Sequence, residues 1–209
     1  MTITHHPDDS TLLSYAAGSL PGALAVVAAA HVAVCPRCRD EVAVMELMGA
    51  ALLADLPGVV LRRPLPKRPE IARRGPPASA PTGSAEVPAP LARLVGIDLD
   101  ALRWRWIARG LWVRWVPIAG DARLHLLRGA PGASVATHGH YGSELTMVLR
   151  GTIADHTGRY GPGDVCDLDD EIEHKPVAGA EGCICVVAQE HPARWRGLLP
   201  RLARPWHGM

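Results

Sequence analysis

Two histidines and a glutamate in the second half of the chain have the spacing of metal ligands. His138 and His140 are one residue apart, and Glu144 follows a Gly-Ser pair, in a run typical of strand, turn and strand. Because residues i and i+2 of a strand share a face, both imidazoles can point into one cavity, and Glu144 can join them from the next strand. Imidazole and carboxylate ligands suit Zn, Fe, Mn or Ni. The stretch therefore predicts three ligands of a metal site.

A second group of candidate ligands lies near the start of the chain. His31, Cys35 and Cys38 have the spacing H-x3-C-x2-C, across the end of one predicted helix, a turn and the beginning of the next. The three side chains can therefore converge on one point. Tetrahedral zinc needs a fourth donor, and the first segment offers either His5 or His6. Such a closed site is structural, and in a small bundle its metal supplies much of the folding free energy.

The residues around this second group predict three helices. Residues 8–56 divide into helices of increasing length, because N-capping residues begin the helices, Gly18 ends the first and Pro36 ends the second. The third helix, over about residues 37–56, is apolar on more than one face, which exceeds the stripe of a lone surface helix. Two explanations are open. Either the helix packs on the C-terminal domain, or a partner protein covers it.

A change in composition divides the chain into three parts. Residues 57–90 hold 9 of the 19 prolines, and proline fixes φ and removes a hydrogen-bond donor, so this segment predicts a semi-rigid linker. Beyond residue 92, short apolar or alternating runs between Gly and Pro predict an antiparallel jelly-roll barrel. We therefore expect a helical domain over residues 1–60 (the head), a linker over 61–92 and a β domain over 93–209.

Charge and cysteine usage narrow the class of partner and the compartment. Residues 1–56 carry two basic and six acidic side chains, which does not suit nucleic-acid binding and favours a basic protein partner. The longest apolar run is too short for a membrane span, and the first residues do not predict a signal peptide, so we expect a cytoplasmic protein.

Five cysteines with CxxC spacing favour metal or redox chemistry over disulfides. Cys183 and Cys185 share a strand face, as redox-active thiols or as inert core residues.

The β domain resembles the cupins. Residues 132–151 match the first cupin motif, G-x5-H-x-H-x3-E-x6-G, at every position, and Gly163-Asp164 followed by His174 fits the second motif. The resemblance implies His174 as the fourth ligand, beside His138, His140 and Glu144, of Zn or another divalent transition metal. Acidic residues stand where the second motif usually has Pro and Gly before its histidine.

The head resembles the zinc-binding anti-sigma domain, and the whole chain resembles the ChrR-type anti-sigma factors. This resemblance implies a helical domain that holds a group IV (extracytoplasmic-function) sigma factor away from core RNA polymerase. Its zinc ligands would be His6, His31, Cys35 and Cys38, with His5 as the alternative to His6. The cupin domain would sense singlet oxygen or a related oxidant and trigger release of the sigma factor.

One departure from the family concerns the fourth helix with which such domains usually grip the sigma factor. The corresponding residues 61–77 contain prolines at 64, 66 and 69, which are incompatible with a regular helix. Either three helices make the grip, or this stretch folds only on the partner.

Two functions follow from these patterns. The first is a regulator without enzymatic activity: a multidomain anti-sigma factor with an all-α zinc-bound bundle and an all-β cupin domain. It would bind a group IV sigma factor, with no direct contact to nucleic acid or membrane, and weak self-association is compatible with its apolar third helix. The second is a metal-dependent cupin oxygenase or dioxygenase with a helical zinc-binding appendage. Turnover of a small substrate by the cupin domain would favour the second.

Overall fold

The computed structural model describes residues 2–60, 83–84 and 86–195. The helices are α1 Asp9–Ala16, α2 Gly22–Val34, α3 Pro36–Ala54 and α4 Ala89–Val95. The strands are β1 Arg105–Ala108, β2 Leu111–Val116, β3 Arg123–Gly129, β4 His138–Gly139, β5 Glu144–Ala154, β6 Arg159–Tyr160, β7 Val165–Leu168, β8 Glu173–His174, β9 Val177–Gln189 and β10 Arg194–Trp195.

The strands form two antiparallel sheets. The larger has the order β1-β2-β3-β9-β5-β6, with β7 also paired to β5, and the smaller has the order β10-β4-β8. Strands β3 and β9, and β9 and β5, are neighbours in the larger sheet although they are distant in sequence, as in a jelly roll. The predicted fold class, an all-α N-terminal bundle followed by an all-β cupin domain, is confirmed.

The central strand β9 is buried on both faces. Cys183, Cys185 and Val187 belong to the cluster inside the barrel, whereas Ile184 and Val186 alternate with them and belong to a second cluster that includes α2. Since neighbouring residues of a strand point to opposite faces, a strand covered on both sides must be apolar throughout. This explains the unbroken apolar run at this position.

Helix α2 connects the head to the cupin domain. Leu24 and Val27 are fully buried, in one cluster with Leu126 of β3, Met147 of β5 and Val186 of β9. Leucine and valine each contribute about 1.5–3 kcal/mol when fully buried, so this contact holds the two parts together firmly. Helix α4 completes the cluster, and it lies across the predicted boundary between linker and cupin domain.

Helix α3 behaves differently, because much of its apolar surface is exposed. Its buried residues are Cys38 and Val42. The exposed large apolar side chains toward its C-terminal end are Val44, Leu47, Met48, Leu52 and Leu53, and Leu56 just after the helix is also exposed. Packing on the cupin domain therefore does not account for its apolar surplus. The proline-containing stretch 61–77 lies outside the described residues.

None of the described helices alone is both long and apolar enough to cross a bilayer. Helices α2 and α3 meet that criterion only as a pair bent by 116°.

Candidate metal centres

Four side chains from three parts of the head converge on one point. His6 precedes α1, His31 lies in the last turn of α2, and Cys35 and Cys38 lie at the start of α3. His6 Nδ1 lies 3.3 Å from Cys38 Sγ and 3.5 Å from Cys35 Sγ. His31 Nε2 lies 3.4 Å from His6 Nδ1 and 3.3 Å from Cys38 Sγ. All four ligand atoms lie within 4.8 Å of one another.

The other nitrogen of His31 determines which atom faces this cluster. His31 Nδ1 lies 2.8 Å from the carbonyl oxygen of Gly163, in the cupin domain, and a carbonyl can only accept. The proton is therefore assigned to Nδ1, and the lone pair of Nε2 points to the cysteines. Burial lowers the pKa of His31, which keeps the ring neutral. The cupin domain thus helps to orient a candidate ligand of the head.

His5 points away from this cluster. Its Nδ1 lies 3.5 Å from Asp164 Oδ2, and its ring centroid lies 4.5 Å from that of Tyr160. Of the two histidines that the sequence left open, the structure brings His6 to the cysteines.

The second group of candidate ligands lies inside the barrel. His138 in β4 is paired with His174 in β8, His140 follows β4, and Glu144 opens β5. His174 Nε2 lies 3.1 Å from His138 Nε2, 3.3 Å from His140 Nε2 and 3.9 Å from Glu144 Oε1. The four residues are buried, and their ligand atoms lie within 4.8 Å of one another. The structure thus brings together all eight of the predicted metal ligands, in two groups of four.

Hydrogen bonds orient the histidines of the cupin group. His138 Nδ1 donates to the carbonyl oxygen of Ala136 at 2.9 Å, and His174 Nδ1 donates to Asp155 Oδ2 at 2.8 Å. Both rings then carry a lone pair on Nε2, and these two atoms face each other at 3.1 Å. Two facing lone pairs repel unless a cation or a proton lies between them. The arrangement is that of imidazoles prepared for a metal ion.

Comparison with known proteins gives consistent results over the whole chain. Residues 92–193 match the family described as the ChrR Cupin-like domain. The anti-sigma-E factor ChrR of Cereibacter sphaeroides is 38% identical over 220 aligned positions, which cover 99% of both chains. The chain belongs to the ChrR family of anti-sigma factors.

A solved structure agrees with this membership. The crystal structure of Rhodobacter sphaeroides SigE in complex with the anti-sigma ChrR matches with a TM-score of 0.76 and 36% identity, over 90% of this chain and 99% of the other. Membership of the ChrR family assigns the chain a regulatory role, and the expectation that it is not an enzyme is confirmed.

A transition-metal ion fits both donor sets of this ChrR-family chain. In the head, burial raises the pKa of Cys38 to about 12, so its thiolate needs a nearby cation to form at neutral pH. A tetrahedral ion with bonds of about 2.0–2.3 Å separates its donors by roughly 3.3–3.8 Å, close to the contacts between the head residues. Two histidines and two cysteines in a closed set are typical of structural zinc.

The cupin donor set differs from the head donor set in its charge and in having no soft thiolate ligand. Burial lowers the pKa of His138 to about 4, so the ring is a neutral ligand. Burial alone raises the pKa of Glu144, but the neighbouring histidines and a hydrogen bond from Gln189 outweigh it and hold this pKa below its ordinary value. Three imidazoles and one carboxylate accept Zn as well as Fe, Mn or Ni.

A small cavity of about 60 Å³ adjoins the cupin donor set. Its walls are mostly apolar and include Cys183 and Cys185, which are buried. Both cysteines share one strand face, as expected, and the structure shows that this face is the interior one. Their redox activity stays a hypothesis. His125 also lines the cavity, and within the described part of the chain its Nδ1 has no hydrogen-bond partner. The space admits a few water molecules or a very small solute.

Several residues that support the cupin site were not singled out from the sequence. Asp155 accepts from His174, Gln189 donates to Glu144, and Thr146 donates to Glu144 at 3.2 Å. Asp155 is 19 residues from its partner in sequence, so no local spacing marks it. For Thr146 and Gln189, the only available signal was the alternation of inward and outward side chains along β5 and β9, which predicts that they face the interior.

Proposed function

We propose that this chain binds a group IV (extracytoplasmic-function) sigma factor and keeps it from core RNA polymerase. The observation that carries the proposal is the exposed apolar face of α3, which we call the α3 face and define by Val44, Leu47, Met48 and Leu52. Their exposed fractions lie between 57% and 71%. Large contiguous apolar surfaces on a folded chain are typical of protein interfaces.

The spacing of the α3 face suits a helix that docks into a groove. Val44, Met48 and Leu52 are four residues apart and form one line along the helix, with Leu47 beside them. Residues 1–56 carry six acidic and two basic side chains, a balance that favours a basic partner. A relative of the chain has been crystallised with SigE, which supports a sigma factor as that partner.

We infer that the head site holds Zn and that the cupin site holds Zn or another divalent transition metal. The proposed head ligands are His6, His31, Cys35 and Cys38. The proposed cupin ligands are His138, His140, Glu144 and His174. When bound, the head metal supplies a rigid cross-link between α1, α2 and α3, which are too short to form a stable bundle alone.

We further propose that the cupin domain senses oxidative stress, by singlet oxygen or a related oxidant, and that sensing releases the sigma factor. Damage at or near the cupin ligands would change the packing of the large sheet, on which α2 rests. The buried contact between α2 and that sheet supports this order of events. The coupling requires two states of the head with different affinity for the sigma factor.

The proposed domain limits are residues 1–60 for the head, 61–92 for the linker and 93–209 for the cupin domain. Helix α4 packs on α2 across the second limit, so the linker would end in an ordered segment. The proposed site of action is the cytoplasm, where sigma factors meet RNA polymerase.

The proposal is tested by charge substitution on the α3 face. The double variant Met48→Glu, Leu52→Glu places two carboxylates in the proposed interface, and we expect it to reduce sigma binding at least a hundredfold. Ala101→Glu is the control, because Ala101 is an exposed alanine of the cupin domain and lies outside the α3 face. Binding is measured by calorimetry with the group IV sigma factor of the same organism that is most similar to SigE. Equal binding by wild type and double variant contradicts the assigned face.

A further inference from the structure

The turn Gly163-Asp164 of the cupin domain contacts the head at two points. Asp164 Oδ1 accepts hydrogen bonds from the backbone N–H groups of Thr4 at 2.6 Å and His5 at 3.0 Å. Its Oδ2 accepts from the N–H of Gly161 at 2.8 Å, which fixes the carboxylate in the turn. Asp164 is buried, so these bonds are charge-assisted and shielded from water.

The segment that carries His6 continues along the edge of β7. The N–H of Val165 donates to the carbonyl oxygen of His5 at 3.2 Å, and the N–H of Asp8 donates to Asp167 Oδ2 at 3.0 Å. His6 thus lies between two anchored residues. Since the segment has no helix or strand hydrogen bonds of its own at this point, the cupin domain determines where His6 lies.

The second contact of the turn acts on His31. The carbonyl oxygen of Gly163 accepts from His31 Nδ1 at 2.8 Å, in a buried position. A carbonyl bound to the far nitrogen of a ligating histidine fixes its tautomer and the direction of its lone pair. One turn of the cupin domain therefore places two of the four candidate ligands of the head.

The same turn is joined to the strands of the cupin metal site. The N–H of Gly163 donates to the carbonyl oxygen of Val148 at 2.8 Å, and the N–H of Val148 donates to the carbonyl oxygen of Asp164 at 3.1 Å. Strand β7 then runs beside β5 until Leu168 lies opposite Glu144. The turn and a cupin ligand belong to one pair of strands.

We propose that Gly163 and Asp164 are positioning residues for the metal site of the head, so that this site is complete only while the head rests on the cupin domain. The inference rests on the proposed metal site of the head and adds to it the means by which the cupin domain acts on that site. A shift of the β5–β7 pair would displace His6 and His31 together and lower the affinity of the head site for the metal that holds the bundle. Neither residue binds the metal itself.

Cobalt titration of the full-length protein tests this proposal. Only the head set contains thiolates, so the cobalt–thiolate absorption band reports the head site separately from the cupin site. For Asp164→Ala we expect the cobalt affinity of the head to fall about tenfold or more, as for other groups that support ligands. For Asp164→Asn we expect a smaller fall in the cobalt affinity of the head, because the remaining side-chain oxygen still accepts from the N–H groups of Thr4 and His5.

Two further variants make the result decisive. Thr4→Pro removes one of the donors to Asp164 from the head side, without a change in the cupin domain, and we expect it to weaken the same band. Asp121→Asn removes an exposed carboxylate far in sequence from this turn and is expected to leave the cobalt–thiolate band and the cobalt affinity unchanged. Retention of the cupin metal and of the circular dichroism spectrum shows that each variant is folded.

The proposal is overturned if head-site affinity stays within twofold of wild type in Asp164→Ala and Thr4→Pro. It is also overturned if the wild-type protein gives no cobalt–thiolate band. Sigma binding is measured on the same samples, so that the failure of this proposal is distinguishable from failure of the proposed function. Normal sigma binding with an unchanged band refutes only the positioning role.

Discussion

Replacement of Asp155 by asparagine is expected to weaken metal binding at the cupin site without loss of the fold. Asp155 Oδ1 accepts from Thr157, while Oδ2 accepts from His174 Nδ1 at 2.8 Å. Asparagine keeps the first contact but presents an NH2 group to His174. Two donors then face each other, and the imidazole must move its proton to Nε2 to accept instead. Nε2 is the atom that faces the other candidate ligands, so the protonated ring cannot ligate.

The expected magnitude follows from this geometry. Removal of a group that orients a ligating histidine typically lowers metal affinity by about 10-fold to 100-fold. That loss corresponds to about 1.4–2.7 kcal/mol, similar to the roughly 1.5–3 kcal/mol of a hydrogen bond to a charged group. The side chains of both Asp155 and His174 are only 4% exposed, so water does not compensate for the missing acceptor.

The assay is zinc competition with a coloured chelator on the full-length protein. Wild type and Asp155→Asn are compared with Asp121→Asn, which makes the same chemical change at an exposed position. We expect Asp155→Asn to lose affinity at the cupin site, while the head site and the thermal transition of the apoprotein stay close to those of the control. If Asp155→Asn binds zinc at the cupin site within twofold of the control, the assigned tautomer of His174 is wrong.

Three further predictions concern the fold. Gly151→Ala is expected to lower the free energy of unfolding in urea by about 3 kcal/mol or more, because φ is +73° and the new Cβ overlaps the carbonyl oxygen of Gly182. Gly132→Ala is the control: its φ is +69°, but the new Cβ enters open space, so the loss should be only about 1–2 kcal/mol. Equal losses would contradict the overlap. Leu24→Ala at the interface of head and cupin domain is expected to cost about 2–5 kcal/mol, and Leu13→Ala, 54% exposed, less than about 0.5 kcal/mol. Chelation of the metal is expected to abolish much of the helical circular dichroism of the head while the β signal remains; an unchanged helical signal would contradict a structural metal there.

Local patterns in the sequence were sufficient to predict much of the fold. Strand alternation and glycine turns predicted an all-β domain after residue 92, and proline and capping signals predicted three helices before residue 57. These signals depend on neighbours a few residues apart, and the described strands and helices follow them. The docking of α2 on the large sheet was not predicted, because an evenly apolar helix indicates burial but not its partner. The sequence also gave no sign that α4 would pack on α2.

Local spacing predicted six of the candidate ligands, whereas His6 and His174 came from the family resemblance, and the residues that support the ligands were not predicted. The pair His138 and His140 shares a strand face by simple alternation, which any strand guarantees. The choice between His5 and His6 depends on Asp164, which lies about 160 residues away and orients that segment. Asp155 supports a ligand only because the end of β5 passes close to β8. Contacts of this kind depend on the register of distant strands, which local spacing does not contain.

In vitro transcription with purified components measures whether this chain keeps a sigma factor from core RNA polymerase. A group IV sigma factor from the same organism is mixed with core RNA polymerase, a cognate promoter and increasing amounts of the zinc-loaded chain. We expect transcripts to fall to background at about one chain per sigma factor, and we expect the double variant at Met48 and Leu52 to leave transcription intact. Full transcription in the presence of a tenfold excess of the wild-type chain, for every group IV sigma factor of that organism, would contradict it.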